Sequence, residues 1–99
     1  MSCYVGDVGT KFEFLPIDEA TGKPIDLTGM KAVIHYKKPD GRVGQWEAEI
    51  ENKTVFYITQ SGDIDVAGVY HLQPELIKGE QTGRWKGEIV NLIVKEGLK

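Results

Sequence analysis

The sequence predicts an all-β domain of immunoglobulin-like sandwich type, and three observations carry that prediction. Twelve glycines and four prolines divide the chain at roughly the 8–12-residue spacing of short strands separated by turns. Between these breaks, apolar and polar residues alternate with the period of two that a half-buried strand requires. Cys3 is the only cysteine, so no intrachain disulfide can form and an antibody-type domain with a bridge between its sheets is excluded. We expect about seven antiparallel strands in a single domain over residues 1–99.

The composition fits a folded globule and excludes several classes of partner. The chain has 99 residues, of which 40% are hydrophobic and 27% charged, and this length supports one hydrophobic core. The net charge of −3 argues against nucleic acid, which binds clustered Lys and Arg; the pair Lys37-Lys38 is expected to be a solvated strand end. No signal-peptide pattern and no run of roughly 20 apolar residues occurs. We therefore expect that the protein does not insert into a membrane. We also expect that it is made in a reducing cytoplasm.

Strands are predicted in the first half of the chain over residues 10–15, 30–37, 43–50 and 54–59. Pro39-Asp40-Gly41 closes the hairpin between the second and third, because Pro fixes φ, Asp bonds its own backbone and Gly accepts positive φ. Trp46 is the candidate for the central core aromatic. The inward face of residues 54–59 is ambiguous, since consecutive residues are apolar, and we favour Phe56 and Ile58.

The second half of the chain contains the most specific local signal. Asp65 to Tyr70 resembles the D-x-x-G-x-Y corner of immunoglobulin-like domains, in which the tyrosine hydroxyl returns to upstream backbone. Pro74 is expected to restrict the following strand to an edge or a bulge. The last strand is predicted as one long element, Arg84 to Val94. Its inward residues would be Val90, Leu92 and Val94.

A candidate protein interface lies on the outward side of this final hairpin. Its members are apolar residues predicted to share one face: Ile77, Trp85, Ile89 and Ile93. Contiguous exposed apolar area marks contact sites, and Trp85 would be the anchor. The alternative is that the protein's own loops or terminal strand cover this face.

The residues that could carry chemistry favour a non-enzymatic protein without cofactor or metal. His35 and His71 have no ligand partners at metal-binding spacing and are expected to be surface imidazoles. Glu47 and Glu49 are two apart, as a solvated strand face predicts, although a hydrolase pair is a third reading. Asp63 and Asp65 are expected in turns rather than around calcium. An alternative function is carbohydrate binding on a platform formed by Trp46, Trp85 or Tyr57.

Several turn motifs together resemble a known family. Pro24-Ile25-Asp26-Leu27-Thr28-Gly29 is followed by Lys38-Pro39-Asp40-Gly41, and both the opening Tyr4 to Thr10 and the Asp65 to Tyr70 corner fit as well. The chain looks like the N-terminal domains of bacteriophage baseplate upper proteins and related small tail-associated proteins. That resemblance implies a structural module of a phage or prophage tail or baseplate, located in the virion. Its partners would be other phage structural proteins or further copies of itself.

Overall fold

The computed structural model describes residues 2–79 and 83–98, and these form strands and loops without a helix. No part of this described chain is therefore a helix that could cross a membrane. The prediction of an all-β, disulfide-free fold is confirmed, with Cys3 as a free thiol. The strands are β1 (Ser2–Tyr4), β2 (Lys11–Phe14), β3 (Met30–Lys37), β4 (Val43–Glu51), β5 (Thr54–Ile58), β6 (Gly68–Lys78), β7 (Gly83–Lys86) and β8 (Val90–Lys95).

All eight strands belong to one sheet that curls around its core. The order is β1-β8-β6-β3-β4-β5-β2, and β7 is an additional partner of β6. Every pairing is antiparallel except that of β1 with β8, which is parallel. Cys3 on β1 and Phe12 on β2 come from the two ends of this path and enter the same core cluster. The sheet therefore folds over on itself as the two layers of a sandwich do.

Strand β6 is an interior strand of the sheet with partners on both sides, and the prediction that Pro74 limits it to an edge or bulge was wrong. β6 continues through Pro74, which lies opposite Ile34 of β3. The Pro74 carbonyl accepts a hydrogen bond from the Gly87 amide on the side away from β3. Because the nitrogen and carbonyl of a strand residue point the same way, the missing N–H of Pro74 also faces that side. It falls where the neighbour of β6 changes from β8 to β7, so no ladder bond is lost.

The long final strand predicted over residues 84–94 is instead two short strands. β7 pairs with Glu75–Lys78, whereas β8 pairs with Gly68–Leu72 at the other half of β6. The chain leaves the ladder between them at residues 87–89, where the Gly87 amide bonds Pro74. The predicted inward residues Leu92 and Val94 are buried, and Val90 is half-buried.

An aromatic stack fills the centre of the main core. Trp46 is buried, with its ring 4.8 Å from those of both Tyr36 and Tyr57 and 6.2 Å from that of Phe12. The prediction that Trp46 is the central core aromatic is confirmed. A second cluster at the other end of the sheet contains Leu27, Ala32, Val55 and Leu76.

The inward face favoured for β5 was wrong. Val55 is buried and Tyr57 packs against the core, whereas Ile58 is 42% exposed. Phe56 turns outward, beneath the ammonium of Lys11 at 4.6 Å. The cause is the pairing with β2: Phe12 lies directly opposite Tyr57, and opposite residues of an antiparallel pair share a face. Burial of Phe12 therefore brings Tyr57 inward with it.

The corner between residues 65 and 70 forms as predicted. The Tyr70 hydroxyl donates to the Val66 carbonyl at 2.9 Å and accepts from the Val66 amide at 3.2 Å. Gly68 has a φ of +131°, and a Cβ there would meet Pro39 at 2.7 Å. The Pro39-Asp40-Gly41 turn thus packs directly on the corner, a contact that requires glycine at 68.

Lys38 is buried, so its prediction as a solvated strand end was wrong. The side chain is 6% exposed, with its ammonium 2.8 Å from Asp65 and 5.6 to 5.9 Å above the rings of Tyr36 and Tyr70. Arg42 also binds Asp65, at 2.9 Å. Hydrogen bonds from these two cations hold the pKa of the Asp65 carboxyl below its usual value. Asp65 supplies the counter-charge that the burial of Lys38 requires.

Candidate functional site

The structure separates the four residues predicted to form one interface. Ile77 lies opposite Arg84 and Ile93 lies opposite Val69, on the outer face of the sheet. Trp85 lies opposite the buried Leu76 and is therefore on the inner face. Ile89 belongs to the connection between β7 and β8. The prediction of a shared face was wrong because the break at residues 87–89 makes β7 and β8 separate strands.

Trp85 instead borders an apolar cleft of about 930 Å³, which we call the inner cleft. One wall is the end of β2 with the segment after it, and the other is formed by β6 and β7. Trp85 is 48% exposed, and Leu15 and Ile17 across the cleft are exposed to a similar extent. The apolar residues lining the inner cleft include Phe14, Leu15, Ile17, Ile25, Met30, Leu76 and Trp85.

The segment after β2 is ordered by its own hydrogen bonds. The Ile25 amide donates to the Pro16 carbonyl at 3.0 Å, and Ile17 forms an isolated antiparallel bridge with Pro24. A Gly22 amide bond to the Asp18 carbonyl closes the turn between them. These contacts make residues 16–25 a small hairpin that presents Ile17 to the cleft.

The inner cleft is open because the strands on its two sides each have one partner. Among the residues that the structure describes, β2 pairs with β5 alone and β7 pairs with β6 alone. β1 lies beside β8 and does not extend along β7. Each strand thus presents an unpaired edge, which is a template for an added strand.

Gly83 fixes the position of Trp85. A Cβ at residue 83 would lie 2.4 Å from the indole ring, closer than any non-bonded contact between carbon atoms permits. The Trp85 ring therefore lies flat along its own strand, over the glycine two residues before it. Any side chain at 83 would displace the indole from the rim of the cleft.

Acidic side chains surround this apolar surface. Glu13, Asp18 and Glu19 stand on the β2 side and Glu88 on the opposite side, whereas Lys86 is the basic residue of the lining. Glu13 is paired with Lys11 at 3.1 Å, with both side chains about half exposed. Such an exposed pair is weak and leaves the carboxylate accessible to a competing cation.

The outer face of the sheet carries a second depression of about 680 Å³, the outer groove. Its lining includes His35, Lys37, Val43, Gln45, His71, Gln73, Lys86 and Ile89. His71 bonds the Asn91 amide oxygen at 2.8 Å. Ile89, one of the predicted interface residues, borders this groove and is not itself among the residues that line the inner cleft.

A buried carboxylate, that of Glu75, lies on the outer face of the sheet beside this groove. Glu75 is 6% exposed and lies 3.0 Å from the His35 ring nitrogen and 3.5 Å from the Arg84 guanidinium. The hydrogen bond with His35 is the main reason that the pKa of Glu75 is lowered. The prediction of His35 as a lone surface imidazole is thereby corrected: the ring is half-buried and forms a hydrogen bond with the Glu75 carboxylate.

The acidic residues considered as candidates for chemistry either bond residues near them in the sequence or lie exposed on a strand. Asp63 accepts from the Tyr57 hydroxyl and from the Gln60 amide, which agrees with a turn role. Burial and the contact with Asp63 raise the pKa of Tyr57 above its ordinary range. Glu47 and Glu49 are both exposed on β4. Among the described residues, no group of three His, Cys, Asp or Glu side chains could hold a metal ion.

A flat sugar-binding platform finds little support in these positions. Trp46 is buried, and Tyr57 stacks on it with a 7° angle between the rings. Trp85 is the remaining candidate, and it borders an acidic, apolar cleft rather than a polar plane. Searches of protein-family models, curated proteins and solved structures found no match to this chain.

The inner cleft itself was not predicted from the sequence, since its walls come from residues far apart in the chain. Two local signals point to it in retrospect. Leu15-Pro16-Ile17 places apolar residues in a segment without strand alternation, and Gly83 precedes Trp85 by two positions. Neither signal says that the two segments face each other.

Proposed function

We propose that this chain is a non-catalytic structural module of a phage or prophage tail or baseplate, which acts through protein–protein contacts. The observation that carries the interaction role is the inner cleft. Trp85, Leu15 and Ile17 each expose about half of their surface there, on a protein whose core is otherwise filled by an aromatic stack. An exposed apolar surface that includes a Trp and is bordered by polar side chains is typical of a protein contact.

The phage assignment draws its support from the sequence motifs. Pro39-Asp40-Gly41 and the Asp65 to Tyr70 corner, which carry part of the resemblance to baseplate upper proteins, pack against each other. A disulfide-free β-sandwich stabilised in this way can be made in a bacterial cytoplasm and then assembled into a particle. The virion is accordingly the proposed location, and other tail or baseplate proteins are the proposed partners.

Particle proteomics tests this proposal directly. The strain that carries the gene would be induced or infected, and the particles purified on a density gradient and analysed by mass spectrometry. We expect the chain in the particle fraction at a constant ratio to the tail proteins. A host cytoplasmic protein of similar size provides the control for carry-over. Recovery of the chain solely from particle-free lysate would refute the phage role.

A further inference from the structure

We propose that the inner cleft binds an extended segment of a partner protein, in which apolar side chains enter the cleft and flanking Lys or Arg side chains meet its acidic rim. This inference rests on the proposed role in protein contacts and adds the site and the chemistry of the partner. It is carried by three features of the described residues: the strand edges, the apolar lining and the charge of the rim.

The strand edges determine that the segment is extended. β7 and β2 both border the inner cleft, and each has one edge without a partner among the described residues. A peptide in β conformation adds to such an edge through backbone hydrogen bonds, which contribute affinity without demanding a particular sequence. A helix has no backbone donors or acceptors left for this edge. The extended conformation is therefore the one that both the edge and the groove accept.

The apolar lining determines which face of the segment points inward. In an extended peptide, alternate residues point to the same side, about 6.5 to 7 Å apart. Trp85 with Leu76 forms one apolar wall, and Phe14 with Leu15 forms the other. Two alternate residues with branched apolar side chains fit between these walls and cover the exposed part of the indole.

The charge of the rim determines what flanks those apolar residues. Four carboxylates border the inner cleft, those of Glu13, Asp18, Glu19 and Glu88, against one lysine, Lys86. A basic segment is therefore attracted and an acidic one repelled, and close opposite charges also guide the orientation of binding. The outer groove differs in charge, because Lys37 and Lys86 line it and its lining includes no carboxylate. The two surfaces thus select different partners.

The test uses a defined pair of peptides and the full chain. The basic probe is a fluorescently labelled Lys-Lys-Val-Thr-Ile-Thr-Val-Lys-Lys peptide, and the acidic control carries Glu in place of each Lys. Fluorescence anisotropy at low and at physiological salt measures both affinities. We expect saturable binding of the basic probe at least 10-fold tighter than that of the acidic control, weakened by salt because exposed charges are screened.

Five variants locate the binding site. Trp85→Ala and Glu19→Lys should each weaken binding of the basic probe at least 10-fold. Ile89→Ala and Glu47→Lys are their matched controls on the outer face, and they should change it less than 2-fold. Trp85 is half exposed, so W85A is expected to fold, which circular dichroism checks; Trp85→Lys provides a second change that adds repulsion without leaving a gap.

Equal affinity for the two peptides would overturn the proposal, as would loss of binding in the outer-face controls to the same degree as in W85A. Concentration-dependent self-association that Trp85→Ala abolishes would assign the cleft to a second copy of the chain instead. Any of these results would leave the particle experiment unaffected. The failure of this inference and the failure of the phage role are therefore distinguishable.

Discussion

Removal of one oxygen atom at Tyr70 should destabilise the protein by about 2 kcal/mol. In Tyr70→Phe the corner loses the hydroxyl that donates to the Val66 carbonyl and accepts from its amide. A net hydrogen bond contributes about 1 kcal/mol, and leaving a buried partner unsatisfied costs a further 1–3 kcal/mol or so. Val66 is half-buried, so water recovers part of that second cost.

Urea unfolding followed by tryptophan fluorescence measures this loss, because Trp46 is buried in the stack and reports global unfolding. The midpoint should fall without a change in slope, since the surface exposed on unfolding is the same. In thermal unfolding, about 2 kcal/mol corresponds to a decrease of about 8–16 °C for a domain of this size.

Tyr36→Phe is the matched control for this substitution. The Tyr36 hydroxyl lies against Gly44 and has no hydrogen-bond partner among the residues described. Its removal should therefore change stability by no more than about 0.5 kcal/mol. If Y70F were as stable as the wild-type protein, or if both variants lost the same amount, the corner bonds would not be what holds this region.

Three further predictions concern charge and burial. Asp65→Asn should lower the free energy of unfolding, measured with urea, by about 1–2 kcal/mol, because Lys38 loses its counter-charge at a site that is partly solvated. In the Asp65→Asn background, Lys38→Met should then lower the free energy of unfolding much less than it does in the wild-type protein. The pKa of Glu75 is lowered in the folded protein, so its contribution to stability is present above about pH 4.3 and disappears as the pH falls through the folded value. Acid titration of Glu75→Gln should accordingly show a shallower loss below pH 4.3 than wild type, and an unchanged slope would contradict the contact with His35. Burial raises the pKa of the Cys3 thiol, so a disulfide reagent should modify it slowly in buffer and rapidly in urea; rapid reaction of the folded protein would show that β1 is not held in the core.

Alternation predicted the strands whose two faces differ in polarity. Trp46 lies between glutamine and glutamate neighbours, and its burial followed from that contrast. The Asp65 to Tyr70 corner was also predictable, because its hydrogen bonds connect residues four apart. These features depend on local sequence alone.

The wrong predictions concern features that are determined by contacts between residues far apart in the sequence. Val55 to Ile58 are all apolar, so a period of two carries no information there, and the face of β5 is set by Phe12 across the β2 pairing. The burial of Lys38 depends on a counter-charge from Asp65, which lies 27 residues away in the sequence. The split of the last strand depends on the hydrogen bond between Gly87 and Pro74, two residues that come together only in the folded protein. The same holds for the inner cleft, which two segments about 70 positions apart create together.

The position of β6 between β3 on one side and β7 and β8 on the other has a consequence for synthesis on the ribosome. Residues 30–58 contain β3, β4 and β5, which can pair as soon as they emerge, because they are consecutive hairpins. Their outer edge at β3 then stays uncovered until the eleven residues of β6 arrive, and β6 waits in turn for both β7 and β8. A nascent chain at this stage carries an open, hydrogen-bonding edge, which is the form most prone to pair with another molecule. β7 and β8 therefore cover this edge last, and a chain truncated before them would favour aggregation over folding.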